Sequence, residues 1–343
     1  AALVWHPRFS ETLGAVVHVQ YQPAADHAVD IVEAYASMRA PFGAGPRISG
    51  KAGVFYPQIS LEHDEYAWST YHSITPSAIN TWIGEEIKVL GVEGTIRQSL
   101  GDGDLSFTAS AFGFDDTAGT LVAFRGWALH DEEATVFGSF AIPENAPTRN
   151  AIFSPQDNFS KSMLELDNRV GFYGQLRYDG KDGFSVSMFH YDNAGDRMAL
   201  DGGQWGWETR FTNFGLSFDP APGLQVLAQY LAGETKSGWY QPAVVIDTEF
   251  SAFYLLGAWE VGDYELAARY DDFQVDDQTF VAIDNENETG SAVTFALGKQ
   301  LTDRIMGRME LMRIDSTRPQ RVDAGLSARD IQTVFQTSLR LDF

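Results

Sequence analysis

The sequence has no cysteine, so disulfide scaffolds, thiolate metal sites and cysteine nucleophiles are excluded. It is poor in basic residues, because 24 Lys and Arg stand against 47 Asp and Glu, which gives a net charge of −23. Nucleic-acid binding needs a basic surface, so this balance argues against a nucleic-acid partner. The apolar runs are far shorter than the roughly 20 residues that a transmembrane helix needs. The chain also lacks the Gly-x-Ser-x-Gly and His-Glu-x-x-His motifs, which argues against an enzyme.

Glycine and aromatic residues are abundant instead, with 32 Gly, 24 Phe, 13 Tyr and 8 Trp in 343 residues. Hydrophobic residues make up 44% of the chain, which is too many for a disordered protein. The sequence begins at Ala1 without a methionine, which we interpret as a processed N-terminus. This composition favours a secreted or outer-membrane β-protein.

The last residues of the chain alternate in polarity with a period of two, which is typical of a β-strand with a different environment on each face. One side carries Ile331, Thr333, Phe335, Thr337, Leu339, Leu341 and Phe343, and the other carries Asp330, Gln332, Val334, Gln336, Ser338, Arg340 and Asp342. An apolar face can line the core of a soluble sandwich or meet lipid in a membrane barrel. Strands of ten or more residues, aromatic residues at strand ends and an alternation of tight and long connections favour the barrel.

This pattern predicts an all-β fold, a closed antiparallel transmembrane β-barrel that forms a single domain over residues 1–343. Fourteen strands are predicted, at 11–22, 28–40, 47–58, 86–98, 104–114, 169–179, 183–193, 207–218, 224–235, 249–260, 264–274, 289–300, 304–314 and 328–343. An even number places both termini at the end with the short periplasmic turns, as a single-chain barrel requires, and the long loops are then extracellular. A strand within 117–130 would require a second additional strand, so sixteen strands is the alternative.

The terminal Phe343, preceded by Leu341, Leu339 and Phe335, resembles the C-terminal assembly signal of Gram-negative outer-membrane β-barrels. Together with the hairpin rhythm of nearly the whole chain, it resembles a porin-type channel, with phosphate-selective and dicarboxylate-type porins as distant relatives. The resemblance implies a location in the outer membrane of a Gram-negative bacterium, in contact with lipid and lipopolysaccharide. It also implies small hydrophilic solutes as cargo, and it leaves open a homo-oligomer or a protein partner.

The strand positions opposite the apolar face are predicted to line the pore. Their basic members are Arg39, Lys51, Arg97, Arg177, Arg269, Arg308 and Arg340, and their acidic members are Glu33, Glu93, Glu265, Asp271, Glu310, Asp330 and Asp342. These two sets are equal in size, so the surplus negative charge is assigned to the loops. Acidic loops at the mouth predict a mild preference for cations.

Two long loops are candidate functional regions. Loop 115–168 contains an apolar stretch with Arg125, Trp127 and His130, which predicts a constriction folded into the lumen; a loop that only caps the barrel is the alternative. Loop 59–84 has a His/acid cluster at 62–65 and His72, but this spacing is poor for one shared metal, so a solvated surface is predicted. No metal or cofactor is predicted.

The sequence therefore predicts a channel for the passive diffusion of small hydrophilic solutes. A structural or interaction barrel with a plugged lumen, whose outer loops dock a partner, is the alternative. An outer-membrane hydrolase is the least favoured of the three functions.

Overall fold

Antiparallel strands dominate the computed structural model, which describes residues 1–40, 45–63, 68–144, 156–238, 246–279 and 285–341. The strands of the main sheet are β1 (Ala2–Trp5), β2 (Leu13–Tyr21), β3 (Val29–Arg39), β4 (Arg47–Phe55), β5 (Val89–Leu100), β6 (Gly103–Gly113), β9 (Gly171–Asp179), β10 (Ser185–Asp192), β13 (Trp207–Ala221), β14 (Leu224–Ser237), β15 (Ile246–Val261), β16 (Tyr264–Asp277), β17 (Glu288–Thr302), β18 (Ile305–Thr317) and β19 (Arg329–Leu341). Two small hairpins pair β7 (Phe140–Ala141) with β8 (Phe159–Ser160) and β11 (Leu200–Asp201) with β12 (Gln204–Trp205). The helices are α1 (Ala78–Glu86), α2 (Thr120–Phe124) and a 3₁₀-helix (Pro319–Ala324).

Among the described residues the main sheet contains fifteen strands, and each of the first fourteen pairs in antiparallel register with the next sheet strand along the chain. The predicted all-β, antiparallel class is confirmed. Every predicted strand overlaps one of β2–β6, β9, β10 and β13–β19, and β1 is an additional short strand paired with β2. Residues 120–124 form helix α2 rather than the strand that the sixteen-stranded alternative requires.

The two faces of the sheet differ as the period of two requires. On β16, Glu265 and Ala267 are at most 9% exposed, whereas the intervening Leu266 is 47% exposed. The outer face carries large apolar side chains such as Phe295 and Phe335, which are 58% and 66% exposed. We call the opposite face, which holds Glu265 and Ala267, the inner face. Neither α-helix has the length and apolar character needed to cross a membrane.

Connections at one end of the sheet are short. β13 is joined to β14 through Gly223 and β15 to β16 through Gly262, and both glycines adopt positive φ, which a tight hairpin turn needs. At the other end, the chain between β4 and β5 and between β6 and β9 is much longer. This asymmetry follows the predicted pattern of turns and loops.

Both long connections pack against the inner face. We call residues 56–63 and 68–88 the first inserted segment, and residues 114–144 the second. Their apolar side chains share one core with strand residues; among them are Ile79, Trp82, Val122, Trp127, Phe211, Phe250 and Phe273. The prediction that the His/acid cluster of loop 59–84 is a solvated surface is wrong for Glu62, His63 and His72, because they have polar and aromatic partners inside the fold.

Candidate channel interior

Helix α1 is the structured part of the first inserted segment. Ser77 is its N-cap, and its hydroxyl accepts a hydrogen bond from the Asn80 amide at 3.3 Å. Every residue of the helix is buried, including Ile79 and Trp82. The sequence analysis missed this helix, although Ser77 followed by apolar residues at 79, 82 and 83 is a helical signal.

Arg269 on β16 is the main anchor of the first inserted segment. Its guanidinium pairs with Glu62 at 3.1 Å and with Asp271 at 2.8 Å, and it donates to the Thr75 carbonyl at 2.6 Å. The Arg269 side chain is only 1% exposed. A buried charge needs such paired and hydrogen-bonded surroundings, so Arg269 fixes the path of the segment.

Carboxylates on the same wall bind the backbone of this segment. Asp271 accepts a hydrogen bond from the Ala78 amide at 3.0 Å, at the start of α1. Glu310 on β18 accepts from the amides of Ile74 at 2.6 Å and Thr75 at 3.1 Å. Charged acceptors make the stronger class of hydrogen bond, so the two acids hold the chain rather than face open solvent.

His72 lies at the tip of the first inserted segment, near the short-turn end of the sheet. Its Nδ1 lies 2.9 Å from Glu265 and its Nε2 lies 2.8 Å from Gln225. Arg308 completes the group through a 2.7 Å bond to Glu265. Burial alone would lower the pKa of His72, but the hydrogen bond and the charge of Glu265 raise it above the usual value.

We call the inner faces of β14, β16 and β18 the covered wall, because the first inserted segment lies on them. The predicted pore-lining residues Glu265, Arg269, Asp271, Arg308 and Glu310 all belong to it. They do point inward, but each of them also binds a residue of the first inserted segment. The sequence analysis assigned them to a water-filled lumen and did not foresee this contact.

The two inserted segments meet at Glu85, which is 1% exposed. Its carboxylate pairs with both Arg125 and His130 of the second segment. Burial would raise the pKa of Glu85, but these two partners lower it. The Trp127 amide donates to Glu288 on β17 at 2.8 Å. The structure thus brings together Arg125, Trp127 and His130, the three predicted constriction residues.

Glu86, the last residue of α1, holds helix α2. Its carboxylate accepts hydrogen bonds from the amides of Gly119 at 3.1 Å and Leu121 at 2.8 Å, and from the Trp82 indole at 2.7 Å. Burial raises the pKa of Glu86 to about 7. The link between the segments therefore contains a carboxyl group that titrates near neutrality.

The short-turn ends of the inner faces of β4, β5, β6 and β9 form a second surface, which we call the open wall. Farther along the same strands, Lys51 and Gln175 already donate to carbonyls of the first inserted segment. Arg47, Arg97 and Arg177 lie at one level of it, since Arg47 pairs in register with Arg97, and Arg97 and Arg177 both pair with Ser106. We call these three residues the arginine row. Their side chains are 42%, 40% and 36% exposed.

Two aspartates alternate with the arginine row. Asp104 binds Arg47 and Arg97, the latter at 3.0 Å, and Asp179 binds Arg97 at 3.0 Å and Arg177 at 2.7 Å. Half-exposed guanidinium groups in this arrangement can meet both water and solute. The sequence analysis predicted Arg97 and Arg177 but missed Arg47, Asp104 and Asp179, although the alternation of Arg47, Ser49 and Lys51 was a usable signal.

Above the arginine row, Lys51 lies 3.6 Å from Glu93, and Tyr173 donates to the same carboxylate. Glu33 on β3 is buried and accepts from the Tyr56 amide at 2.9 Å. Arg39, at the short-turn end of the same strand, is exposed. These predicted pore-lining residues follow the inward side of the alternation.

The remaining predicted residues lie on β19. Arg340 is exposed, Asp330 is half-buried, and Leu339 and Leu341 are 70% and 57% exposed on the outer face. Asp342 and Phe343 lie outside the described residues. The assembly role of residues 339, 341 and 343 stays a prediction.

Within the His/acid cluster of the first segment, His63 is a packing residue. His63 stacks on Trp68 with ring centroids 3.8 Å apart, and burial together with the charge of Arg269 lowers the pKa of His63 to about 3. Asp64 and Glu65 lie outside the described residues. The neutral ring is therefore an aromatic packing partner at physiological pH.

A group of three carboxylates lies where the start of the second segment meets the residues that lead into β9: oxygens of Asp116, Glu165 and Asp167 lie within 4.8 Å of one another. Backbone amides already bind all three, with Leu166 donating to Asp116, Phe114 to Glu165 and Arg169 to Asp167. Burial, with the neighbouring charges, raises the pKa of Asp116 to about 7. These contacts tie the base of the second segment together.

No protein-family model and no curated protein matches the sequence. Solved structures share its fold. A loop L8 deletion mutant of OmpT, an outer membrane protein of Vibrio cholerae, is 10% identical with a TM-score of 0.55, covering 99% of this chain and 89% of its own. In-vitro folded OmpT is 9% identical with a TM-score of 0.51, covering 99% and 88%. An anion-selective porin from Comamonas acidovorans is 13% identical with a TM-score of 0.55, covering 100% and 88%.

The TM-scores above 0.5 over nearly the whole chain establish a likeness of fold, and at such low identity they establish nothing more. The chain has the fold of porin-like outer-membrane β-barrels, and that prediction is confirmed.

Proposed function

We propose that the chain is an outer-membrane channel of a Gram-negative bacterium, through which small hydrophilic solutes diffuse passively without catalysis. We further propose that β19 approaches the N-terminal strands to close the barrel, so that the inner face surrounds a lumen. The apolar outer face, with Leu266, Phe295 and Phe335 exposed, suits contact with lipid and the lipid part of lipopolysaccharide. The half-exposed charged residues of the inner face, such as the arginine row, suit contact with water.

The observation that carries this proposal is the exposure of the arginine row. The covered wall is occupied by the first inserted segment, but the guanidinium groups of Arg47, Arg97 and Arg177 remain more than a third exposed on the inner face. Solutes therefore pass along the open wall. The inserted segments narrow the lumen, and Arg125 and His130 lie at the constriction.

Single-channel recording in planar bilayers tests the proposal. We expect a steady open level from the purified, folded chain, and a changed conductance when Arg97 is replaced by Gln. A folded protein that inserts but shows no steady open level would contradict the channel.

A plugged barrel that docks a partner through its loops is the second candidate function. It is favoured by the aromatic packing between the segments and the strands, where Trp82 lies 4.8 Å from Phe250 and Trp127 lies 6.3 Å from Phe273 (ring centroids). In that case, removing residues 118–130 should create conductance that the intact chain lacks.

The assembly signal is a further part of the proposal. If Phe343 is read by the assembly machinery, its deletion should reduce insertion into the outer membrane while synthesis continues. Wild-type amounts of heat-modifiable protein after the deletion would contradict that role.

A further inference from the structure

A pocket of about 340 Å³ opens between the second inserted segment, the connection from β18 to β19, and β19 itself. Its volume lies within the range of small-molecule sites. Because the long connections surround it, the pocket lies at the mouth of the proposed channel. Its charged lining residues are Arg125, Arg318, Arg321, Glu144 and Asp330, and Gln320 is among its neutral polar ones.

The three arginines of the lining offer many hydrogen-bond donors, but carboxylates already balance their positive charge. Arg125 pairs with Glu85, and Arg318 and Arg321 lie 3.5 Å and 3.3 Å from Glu288. Each guanidinium carries five N–H donors, so paired groups still have donors for a ligand. A ligand carboxylate would therefore be recognised by hydrogen bonds from the arginines rather than by a net positive charge of the pocket.

The anionic side comes from other elements. Asp330 begins the polar face of β19 and is half-buried, and Glu144 is exposed at the end of the second segment. A simple anion in the pocket would face these two carboxylates, and a simple cation would face the guanidinium groups. Charges of one sign are therefore disfavoured by part of the lining.

Gln320 supplies an independent observation. Its side chain is 6% exposed, and neither its amide nitrogen nor its amide oxygen has a hydrogen-bond partner among the described residues. The Nε of Arg125 is likewise buried without a partner. Unsatisfied buried polar atoms cost about 1–3 kcal/mol each, so a molecule that brings both a donor and an acceptor to this wall is favoured.

We infer that the pocket binds a small ammonium–carboxylate zwitterion, with its carboxylate towards Arg125 and Arg321 and its ammonium towards Asp330 and Glu144. The inference names a solute class for the mouth of the proposed channel and in that sense rests on the proposed function. Binding, however, is measured without conduction.

Isothermal titration of the folded full chain in detergent with L-glutamine tests the inference, with acetate, methylammonium and glucose as the matched probes. We expect saturable binding of L-glutamine in about the millimolar range and at least tenfold weaker binding of the other three. Asp330→Asn should raise the Kd for L-glutamine about tenfold, because it removes the charge that faces the ammonium. Asp303→Asn, the same change at a short turn at the opposite end of the sheet, should leave the Kd unchanged.

Any other binding result overturns the inference. Equal binding of acetate or methylammonium would assign the pocket to single ions, and equal binding of glucose would assign it to neutral polyols. An equal loss with Asp303→Asn would show that the effect is not local to the pocket. If L-glutamine binds but the chain does not conduct, the inference stands and the channel fails; conduction without binding has the opposite meaning.

Discussion

The covered wall and the open wall carry the same kinds of residue and treat them differently. Arg308 on β18 and Arg97 on β5 each lie three residues from the short-turn end of their strand, and both face inward. Arg308 is 11% exposed and donates to Glu265 and to carbonyls of the first inserted segment, whereas Arg97 is 40% exposed between two aspartates. The two side chains differ because the tip of the first segment lies on one of them.

Charged residues therefore have different roles on the two walls. Under the first inserted segment, charged side chains are buried and hold the segment through ion pairs. The loss of one partner therefore leaves an unpaired buried ion. On the open wall, the arginine row is half-exposed and stabilises the fold only weakly, so in the proposed channel we expect its main effect on the passing ions. The following predictions test that division.

The largest effect is expected at Arg269. Arg269→Met leaves Glu62 and Asp271 buried without their partner and should lower the free energy of unfolding by about 3–5 kcal/mol. Urea unfolding of the folded chain in detergent measures this. Arg97→Met on the open wall is the matched control, with an expected loss below about 1 kcal/mol. Equal losses would remove the distinction between the walls.

Glu86 should give a pH-dependent effect of about 3 kcal/mol, since its pKa rises from 4.5 to about 7 on folding. A raised carboxyl pKa means that the folded state holds the proton more tightly. Its stabilising contribution is therefore complete below pH 4.5 and is lost as the pH rises to about 7. Glu86→Gln should remove this slope. Identical pH profiles of unfolding for the variant and the parent would show that Glu86 does not titrate there.

His72 should contribute about 1.5–3 kcal/mol through its hydrogen bond to Glu265. Because the pKa of His72 is raised on folding, this contribution is present below pH 6.5 and is lost as the pH rises through the folded value. His72→Leu should thus cost more at pH 6 than at pH 9, as measured by urea unfolding. Equal costs of His72→Leu at pH 6 and at pH 9 would contradict this role of the His72–Glu265 pair.

The smallest energetic effect, but the clearest effect on ions, is expected from the arginine row. Replacing Arg97 and Arg177 by Gln should shift the reversal potential in a KCl gradient towards cations at 0.1 M salt and less at 1 M, because screening shortens the reach of the charges. Arg308→Gln on the covered wall should produce a smaller shift. Equal shifts from both walls would contradict the contrast. The parent chain measured beside them tests the predicted mild cation preference.

The strands were predictable because their signal is local. On β16, charged Glu265, Arg269 and Asp271 alternate with Leu266, Ala268 and Tyr270, and this pattern needs no knowledge of distant residues. The apolar stretch with Trp127 likewise predicted burial of the second segment. Its helix α2 was not predicted, since five residues carry too little periodicity to separate a helix from a strand.

The first inserted segment was not predictable in the same way. Read alone, its Glu62, His63 and His72 are polar residues of a loop, and water satisfies such groups. Glu62 and His72 are buried because Arg269 and Glu265 satisfy them, whereas His63 stacks on Trp68. Glu62 is 207 residues from Arg269 along the chain. A pairing over that distance leaves no periodic trace in the sequence.

The sequence by itself therefore determined the strands, their two faces and the absence of any cysteine chemistry, because each depends on neighbouring residues or on composition. The tertiary structure alone decided which inward-facing charged residues are buried in ion pairs and which remain exposed to solvent. The seven basic and seven acidic residues predicted to face inward cancel in net charge. In the structure, however, Glu265, Asp271 and Glu310 bind residues of the first inserted segment, whereas Arg97 and Arg177 stay exposed. The reason is physical: the electrostatic effect of a charge depends on its access to water, and only the folded chain sets that access.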